Sequence, residues 1–547
     1  MKSIKKHLTI FGFLFLAVCT LQAQDLETTI DQILNERYPS DAPGATALVA
    51  RDGEVIYRKA FGMANLELDV PMNPDHIFEI GSITKQFTGV GILMLMEEGK
   101  LSVNDEITKF IPDYPTQGKT ITVHQLLNHT SGIKSYTGME SFRKMVRTDM
   151  SPTELIDAFK NEPMDFDPGT EYRYNNSGYI ILGYIIEVAS GMTYADFVEQ
   201  RIFKKLGMKN SYYGSKTRVI KNRATGYQPG EDGYSIAPYL SMTLPYAAGS
   251  IMSCVDDLLI WAKAMENNVL ISEKSKQLAY TGGTVANGDP IYYGYGFGVD
   301  EVNGTPSIEH GGGIFGYETY GLYVPSEKVY AVVLTNSNGN GPEDVTIKMA
   351  SHAIGKPYTG VTGANVSEEK MKQWVGTYEF DGGILRFITY DNGSLYSQRE
   401  GSTVFKLMPL SENTYKFEDT FSDYEFSVED GKRVATFKSR IREGKGVETA
   451  KTTSEEREAI EVDAATLANY VGTYELQPGF EIVITTEGNQ IFAQATGQPK
   501  LEIFAQSETS FFLKAVKADI EFSTDDKGMA QGLTLSQGGR QMEGKRI

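Results

Sequence analysis

Ser82 and Lys85 stand three residues apart, one helical turn, at the head of the most apolar helical stretch in the chain. Tyr174-Asn-Asn176 and then His310-Gly-Gly-Gly313 follow in that order. A hydroxyl, an amine, a phenol and a glycine-rich segment are the groups that serine acyl transfer needs: nucleophile, base, proton relay and backbone donors for an oxyanion. The S-x-x-K spacing alone is a weak signal, because Ser3/Lys6, Ser131/Lys134, Ser141/Lys144 and Ser367/Lys370 also match it. Its setting distinguishes Ser82.

Gly81-Ser82 opens a helix that runs through Phe87, Val90, Ile92, Leu93, Met94 and Leu95 to Gly99. Apolar residues on nearly every side mark a buried helix, and Ser82 falls at its N-terminus, where unpaired N–H groups favour negative charge. Lys85 lies on the same face. A lone ammonium in such a helix is costly, so it needs a reason, and a desolvated lysine that gives up its proton can serve as a base. The competing reading is that Ser82 only caps the helix.

Tyr174-Asn-Asn176 follows the turn Asp167-Pro-Gly169. A phenol beside a cationic lysine has its anion stabilised and can relay protons, and Asn176 can hold Lys85 and a substrate amide through its two-sided side chain. The competing reading is a turn carrying a buried tyrosine. The glycines after His310 let a substrate backbone lie against an edge strand ahead of Tyr317–Val324, with Gly312 and His310 positioning the substrate and the Gly313 and Ser82 N–H groups forming an oxyanion hole. Gly311–Gly316 also spells G-x-G-x-x-G, but no strand-turn-helix unit surrounds it and a dinucleotide site is discarded. His124 and His129 form no zinc-ligand pattern, and neither a phosphate loop nor a G-x-S-x-G elbow is present. No metal and no organic cofactor is expected.

The elements that position these groups are mixed. Strands are predicted over Ala45–Ala50, Val55–Phe61, Gly296–Val302, Tyr317–Val324 and Tyr330–Asn336, and helices over Leu26–Arg37, Thr84–Glu98, Thr153–Lys160, Ile180–Ser190, Tyr194–Lys205 and Val255–Asn267. Hairpins at both ends of a helical middle imply that the ends meet in one antiparallel sheet. Beyond them, Trp374-Val-Gly-Thr-Tyr-Glu379 returns as Tyr470-Val-Gly-Thr-Tyr-Glu475, an offset of 96 that Glu425-Phe-Ser427 and Glu521-Phe-Ser523 keep. One domain therefore occurs twice, and its short alternating strands would close most simply as a small antiparallel barrel.

The predicted organisation is a signal peptide over 1–23, an α+β domain over 24–358, a linker over 359–370, and two β-barrel repeats over 371–455 and 456–547. Lys2, Lys5 and Lys6 followed by the apolar run Leu8–Val18 and Ala23 give the secretory pattern, so an exported, periplasmic or extracellular protein is expected. A lipid anchor on Cys19 is the rival reading. After cleavage only Cys254 remains, so the mature chain can form no internal disulfide. The formal charge of −19 argues against nucleic acid or an anionic membrane as partner, and no spanning segment recurs. Oligomeric state has no sequence signature here.

These motifs resemble the penicillin-recognising serine hydrolases, specifically the class C β-lactamase-related family. The likeness spans about Leu26 to His352 and rests on Phe78–Lys85, Leu126-Leu-Asn-His-Thr-Ser-Gly132, Phe166–Gly169, Tyr174–Tyr179, Ala247-Ala-Gly-Ser250 and Tyr293-Gly-Tyr-Gly-Phe-Gly298. The resemblance implies a β-lactamase/transpeptidase-like fold, with Ser82 as nucleophile, Lys85 and Tyr174 as acid-base pair and Asn176 as positioning residue. One departure bears on substrate. Members that act on β-lactams or as carboxypeptidases carry Lys-Thr-Gly in the third motif, where His310 stands here. His-x-Gly is similar to D-aminopeptidases and some esterases of the family, and the D-aminopeptidase also carries two β-barrel domains. The resemblance thus implies hydrolysis of a small amide or ester, a D-amino-acid peptide among the candidates. A β-lactamase, a D-Ala-D-Ala carboxypeptidase, or a catalytically silent protein that binds cell-wall fragments or β-lactams are the alternatives.

Overall fold

The computed structural model describes residues 26–547 except 231–232, 359–362, 403, 418–420, 452–458, 478–479, 497–499, 514–517 and 538–539. The predicted signal peptide, Cys19, the start of the linker and the junction between the repeats lie outside the described residues. The chain divides into two units between Tyr358 and Thr359.

The first unit is built on a six-stranded antiparallel sheet of β1 (Ala45–Arg51), β2 (Glu54–Phe61), β3 (Gly298–Val302), β4 (Thr305–Ile314), β5 (Tyr317–Val324) and β6 (Val329–Thr335), in the order β3-β4-β5-β6-β1-β2. Ala45 pairs with Thr335 and Arg51 with Val329, so the early hairpin and the late strands form one sheet. Every residue of β6 is buried, as its run of Val, Ala and Leu requires of a strand covered on both faces. The N-terminal helix α1 (residues 26–37) is tied to α5 (Glu343–Ala353) through Arg37 and Asp344 at 2.6 Å.

A helical layer carries α2 (Thr84–Glu97) and α3 (Asn176–Ser190) in contact with each other, while α4 (Val255–Glu266) packs on the sheet. Twelve of the fourteen residues of α2 are buried, Lys85 among them. No single helix among the described residues is long and apolar enough to cross a membrane.

The predicted strand Tyr317–Val324 is β5, and His310–Gly313 ahead of it lie within a further strand that the sequence reading lacks, β4, which pairs with β5 from Ile308↔Tyr323 to Ile314↔Tyr317. Glycine is depleted in strands, so the pattern hides this one. β3 pairs with β4 only as far as Glu309, which leaves His310–Ile314 with a sheet partner on one side alone.

The second unit holds two closed eight-stranded antiparallel barrels, β7 (Gly376–Phe380) to β14 (Arg442–Thr449) and β15 (Gly472–Gln477) to β22 (Arg540–Arg546). The repeated signature has a packing reason. Trp374 stacks on Phe426 with ring centroids 5.3 Å apart, and Tyr470 stacks on Phe522 at 4.5 Å, so each copy carries a stacked aromatic pair at the same two positions. Tyr378 and Tyr474 then donate to the carbonyls of Trp374 and Tyr470 at 2.8 and 2.7 Å.

Candidate active site

Ser82 sits on a single 3-10 turn, Gly81–Ile83, that runs directly into α2. Gly81 takes φ +51, a left-handed conformation that costs a side-chain-bearing residue energy, and a Cβ there would stand 2.9 Å from the Gly313 nitrogen. The turn is held from several sides. Ile80 donates to the Ile251 carbonyl at 3.0 Å, Thr319 donates to the Ile80 carbonyl at 3.0 Å, and the buried Glu79 meets Lys216 at 2.8 Å and Arg223. Ser82 does not cap the helix: neither the turn nor α2 has a side-chain cap, which removes the competing reading.

Lys85 is wholly buried, and its Nζ lies 3.0 Å from Ser82 Oγ, 2.8 Å from Asn176 Oδ1 and 2.9 Å from the Ala248 carbonyl. Burial pushes its pKa well below the usual lysine range. The Nζ also stands 4.8 Å above the Tyr174 ring and 5.4 Å above Tyr179. Such contacts favour an ammonium, and burial opposes them.

Tyr174 lies just before α3, whose N-cap Asn175 accepts from the Gly178 N–H at 2.8 Å and donates to the Ile133 carbonyl. Burial of its hydroxyl end raises the phenol above its ordinary range, with the neighbouring Ser82 hydroxyl acting the other way. The residue as a whole is 38% exposed, so cleft water offsets part of the burial effect. Lys85 faces the ring rather than the hydroxyl. Burial thus favours the neutral phenol.

Asn176 opens α3 and turns its Oδ1 to Lys85 while its Nδ2 donates to Thr137 at 3.1 Å. Gly312 is required by close approach: a Cβ there would fall 2.0 Å from the Ile80 carbonyl. Ser82, Asn176 and Gly313 border one cleft of about 330 Å³, whose remaining wall includes Phe142, Leu240, Leu244 and Phe315 and, among the described residues, no charged side chain.

His310 is buried, its Nδ1 lies 2.5 Å from the Gly311 carbonyl, and its Nε2 is 2.8 Å from the Tyr293 hydroxyl. The network assigns the proton to Nδ1, with Tyr293 donating to Nε2. Burial first, then the charge of Lys85, pushes its pKa down to about 3. With both ring nitrogens engaged and the ring neutral, His310 braces Tyr293 beside Tyr174.

Two participants have no role in the sequence reading. The Ala248 carbonyl comes from the short helix Tyr246–Gly249, entered through Tyr246 at φ +40, a strained value for a tyrosine. Its only trace in sequence is the small-residue run Ala247–Ser250. His129 is buried against Tyr174, Tyr293 and Tyr179, with ring centroids 4.3, 4.7 and 5.1 Å away, and its Nδ1 accepts the Asn175 N–H at 3.1 Å. It thereby sets the backbone between Tyr174 and Asn176. Among the described residues no group of three or more His, Cys, Asp or Glu side chains is placed to hold a metal.

Residues 29–356 match the family model described as beta-lactamase, and residues 456–546 match a domain of unknown function, DUF3471. The chain is 26% identical over 544 residues to penicillin-binding protein 4* of Bacillus subtilis, covering 95% of this chain and 97% of that protein. It is similar to the octameric penicillin-binding protein homologue of Pyrococcus abyssi, with TM-score 0.57 and 28% identity over 77% of this chain and 99% of the other. It is also similar to a D-stereospecific amidohydrolase of Streptomyces sp., with TM-score 0.52 and 25% identity over 59% of this chain and 97% of that one. With the family model covering more than half of the chain and Ser82 at the cleft with Lys85 against its hydroxyl, the chain belongs to the beta-lactamase family of serine hydrolases.

Proposed function

We propose that this chain is an exported hydrolase that cleaves a small amide or ester through an acyl-enzyme on Ser82, a D-amino-acid derivative being the favoured substrate class. One observation carries the reading: Lys85 Nζ faces two carbonyl-type acceptors, Asn176 Oδ1 and Ala248 O, and one hydroxyl. A neutral amine has two N–H groups and one lone pair. The two acceptors take the N–H groups, and the lone pair is left for the Ser82 proton.

In this account Lys85 removes the Ser82 proton as Oγ attacks the substrate carbonyl, and the Ser82 and Gly313 N–H groups stabilise the oxyanion. The proton on Lys85 then passes through Tyr174 to the leaving amine or alcohol. Asn176 keeps the lysine aimed and borders the substrate. Water enters by the same base and releases the acid.

The cleft supports a substrate without a free carboxylate at its bound end. Among the described residues its lining has no cation, and the third motif offers a neutral His310 where a clamping lysine would stand. Phe142, Leu240, Leu244 and Phe315 suit an apolar side chain. The similarity to a D-stereospecific amidohydrolase supports the stereochemical part.

The test is a substrate panel with the purified chain: D- and L-phenylalanine p-nitroanilides, p-nitrophenyl esters and nitrocefin. Turnover of the D-anilide and the esters, absent in Ser82→Ala, is the expected result. Turnover of nitrocefin alone, or equal rates for Ser82→Ala, would count against the reading.

A further inference from the structure

The first barrel contains a feature that barrel closure does not require. Arg386 on β8 (Ile384–Asp391) pairs directly with Arg399 on β9 (Ser394–Arg399), and strand alternation puts both on the inward face with Ile388, Leu395 and Ser397. Like charges directly opposite on a sheet are unfavourable. Neither arginine has an acidic partner within ion-pair distance among the described residues. Arg386 lies instead 3.9 Å from the centroid of Phe437 and 5.3 Å from that of Phe380, and donates to the Tyr424 hydroxyl at 3.2 Å. Tyr424 in turn lies 3.0 Å from Ser397 Oγ.

The second barrel supplies an internal control. At the same register, Ile482 pairs with Ala495 where Arg386 pairs with Arg399, and Ile520 with Leu535 where Tyr424 pairs with Phe437. The repeat therefore closes with aliphatic residues at these positions. Two guanidinium groups, a phenol and aromatic rings in one copy need another explanation. Among the described residues, side chains at this end of the barrel reach solvent: Arg399 is exposed, and Phe405, packed on Phe417 at 5.8 Å, is 40% exposed.

We propose that this end of the first barrel binds a small organic carboxylate with an apolar body. Arg386 and Arg399 hold the carboxylate, with Arg geometry suited to its two oxygens, while Phe405, Phe417 and Phe437 receive the apolar part. The site lies in the barrel unit and uses none of the residues assigned to the Ser82 chemistry.

The test uses the full chain carrying Ser82→Ala, which removes turnover, and titrates sodium hexanoate against sodium chloride of equal ionic strength by calorimetry. Saturable binding that weakens at least tenfold in Arg399→Ala and in Arg386→Ile/Arg399→Ala is expected. The double variant copies the second barrel, so its melting temperature should not fall. Binding that is absent, or unchanged in the two variants, overturns the proposal. So does inorganic phosphate binding as tightly as hexanoate, which would remove the apolar part. If the double variant melts lower while Arg399→Ala binds hexanoate normally, the arginines are structural and the proposal fails; Arg399→Ala, an exposed change, carries the test if the double variant does not fold.

Discussion

The Ala248 carbonyl accepts a hydrogen bond from Lys85 Nζ at 2.9 Å, joining two segments 163 residues apart in the chain. A backbone acceptor cannot be removed by side-chain mutation, so it fixes the amine whatever neighbours vary. Its partner on the other side, Asn176 Oδ1, can be removed. Asn176→Ala should therefore leave Lys85 tethered at one point and lower kcat/KM by about 10²-fold, with a smaller change in KM, measured on a p-nitrophenyl ester.

Lys85→Arg places a permanently charged group where a neutral amine is needed and should reduce kcat at least about 10³-fold. In the wild type the rate should fall as pH drops through the depressed pKa of Lys85, and that limb should vanish in the variant. The same group sets a stability trend. Because the unfolded lysine holds its proton to higher pH than the folded one, the unfolded state binds more protons in that window, and stability rises with pH toward the ordinary lysine pKa. Denaturant melts of wild type and Lys85→Met between pH 7 and 10 should show that gain in the wild type only.

Tyr174→Phe separates leaving groups. An amine must be protonated to depart, whereas p-nitrophenolate leaves unaided, so amide cleavage should fall about 10²-fold or more and ester cleavage much less. Parallel kcat/KM values for a D-anilide and a p-nitrophenyl ester read this directly. Equal losses would assign Tyr174 to positioning.

His310, with its pKa near 3, should give no rate limb around pH 6.5. Its sign for stability is the reverse of a partnered histidine: the unfolded ring takes a proton first as pH falls, so stability is lost below about 6.5 with a slope of up to about 1.4 kcal/mol per pH unit. His310→Gln should flatten that slope between pH 6.5 and 4, followed by urea unfolding.

Gly312→Ala tests the close approach of β4 to the Ser82 turn. A Cβ 2.0 Å from the Ile80 carbonyl must push the strand away, lowering activity sharply and stability by about 1–3 kcal/mol. Full activity in this variant would mean that the strand is not held where the oxyanion account needs it.

What could be read from sequence follows from which interactions leave a local pattern. Ser82 and Lys85 meet because three residues make a helical turn, and the N-cap that presents Asn176 is an asparagine at the head of an apolar run. Both are local rules. The 96-residue repeat exposed the barrels, since the stacked aromatics Trp374 and Tyr470 recur at that spacing. Ala248 contributes a carbonyl, which every residue has, and so left no signal. His129 acts through the Asn175 amide and a ring of tyrosines that only the fold assembles. The glycines of β4 obscured a strand because the close packing that demands them is tertiary. The opposed Arg386 and Arg399 became visible only once the register between β8 and β9 was known.

The central claim is a covalent intermediate on Ser82, and quenched-flow intact mass spectrometry tests it most directly. With a p-nitrophenyl ester in excess, the account predicts a burst of p-nitrophenol together with one acyl group on the peptide containing Ser82, and neither in Ser82→Ala. Turnover with no acyl adduct, or an adduct on any other peptide, would contradict it.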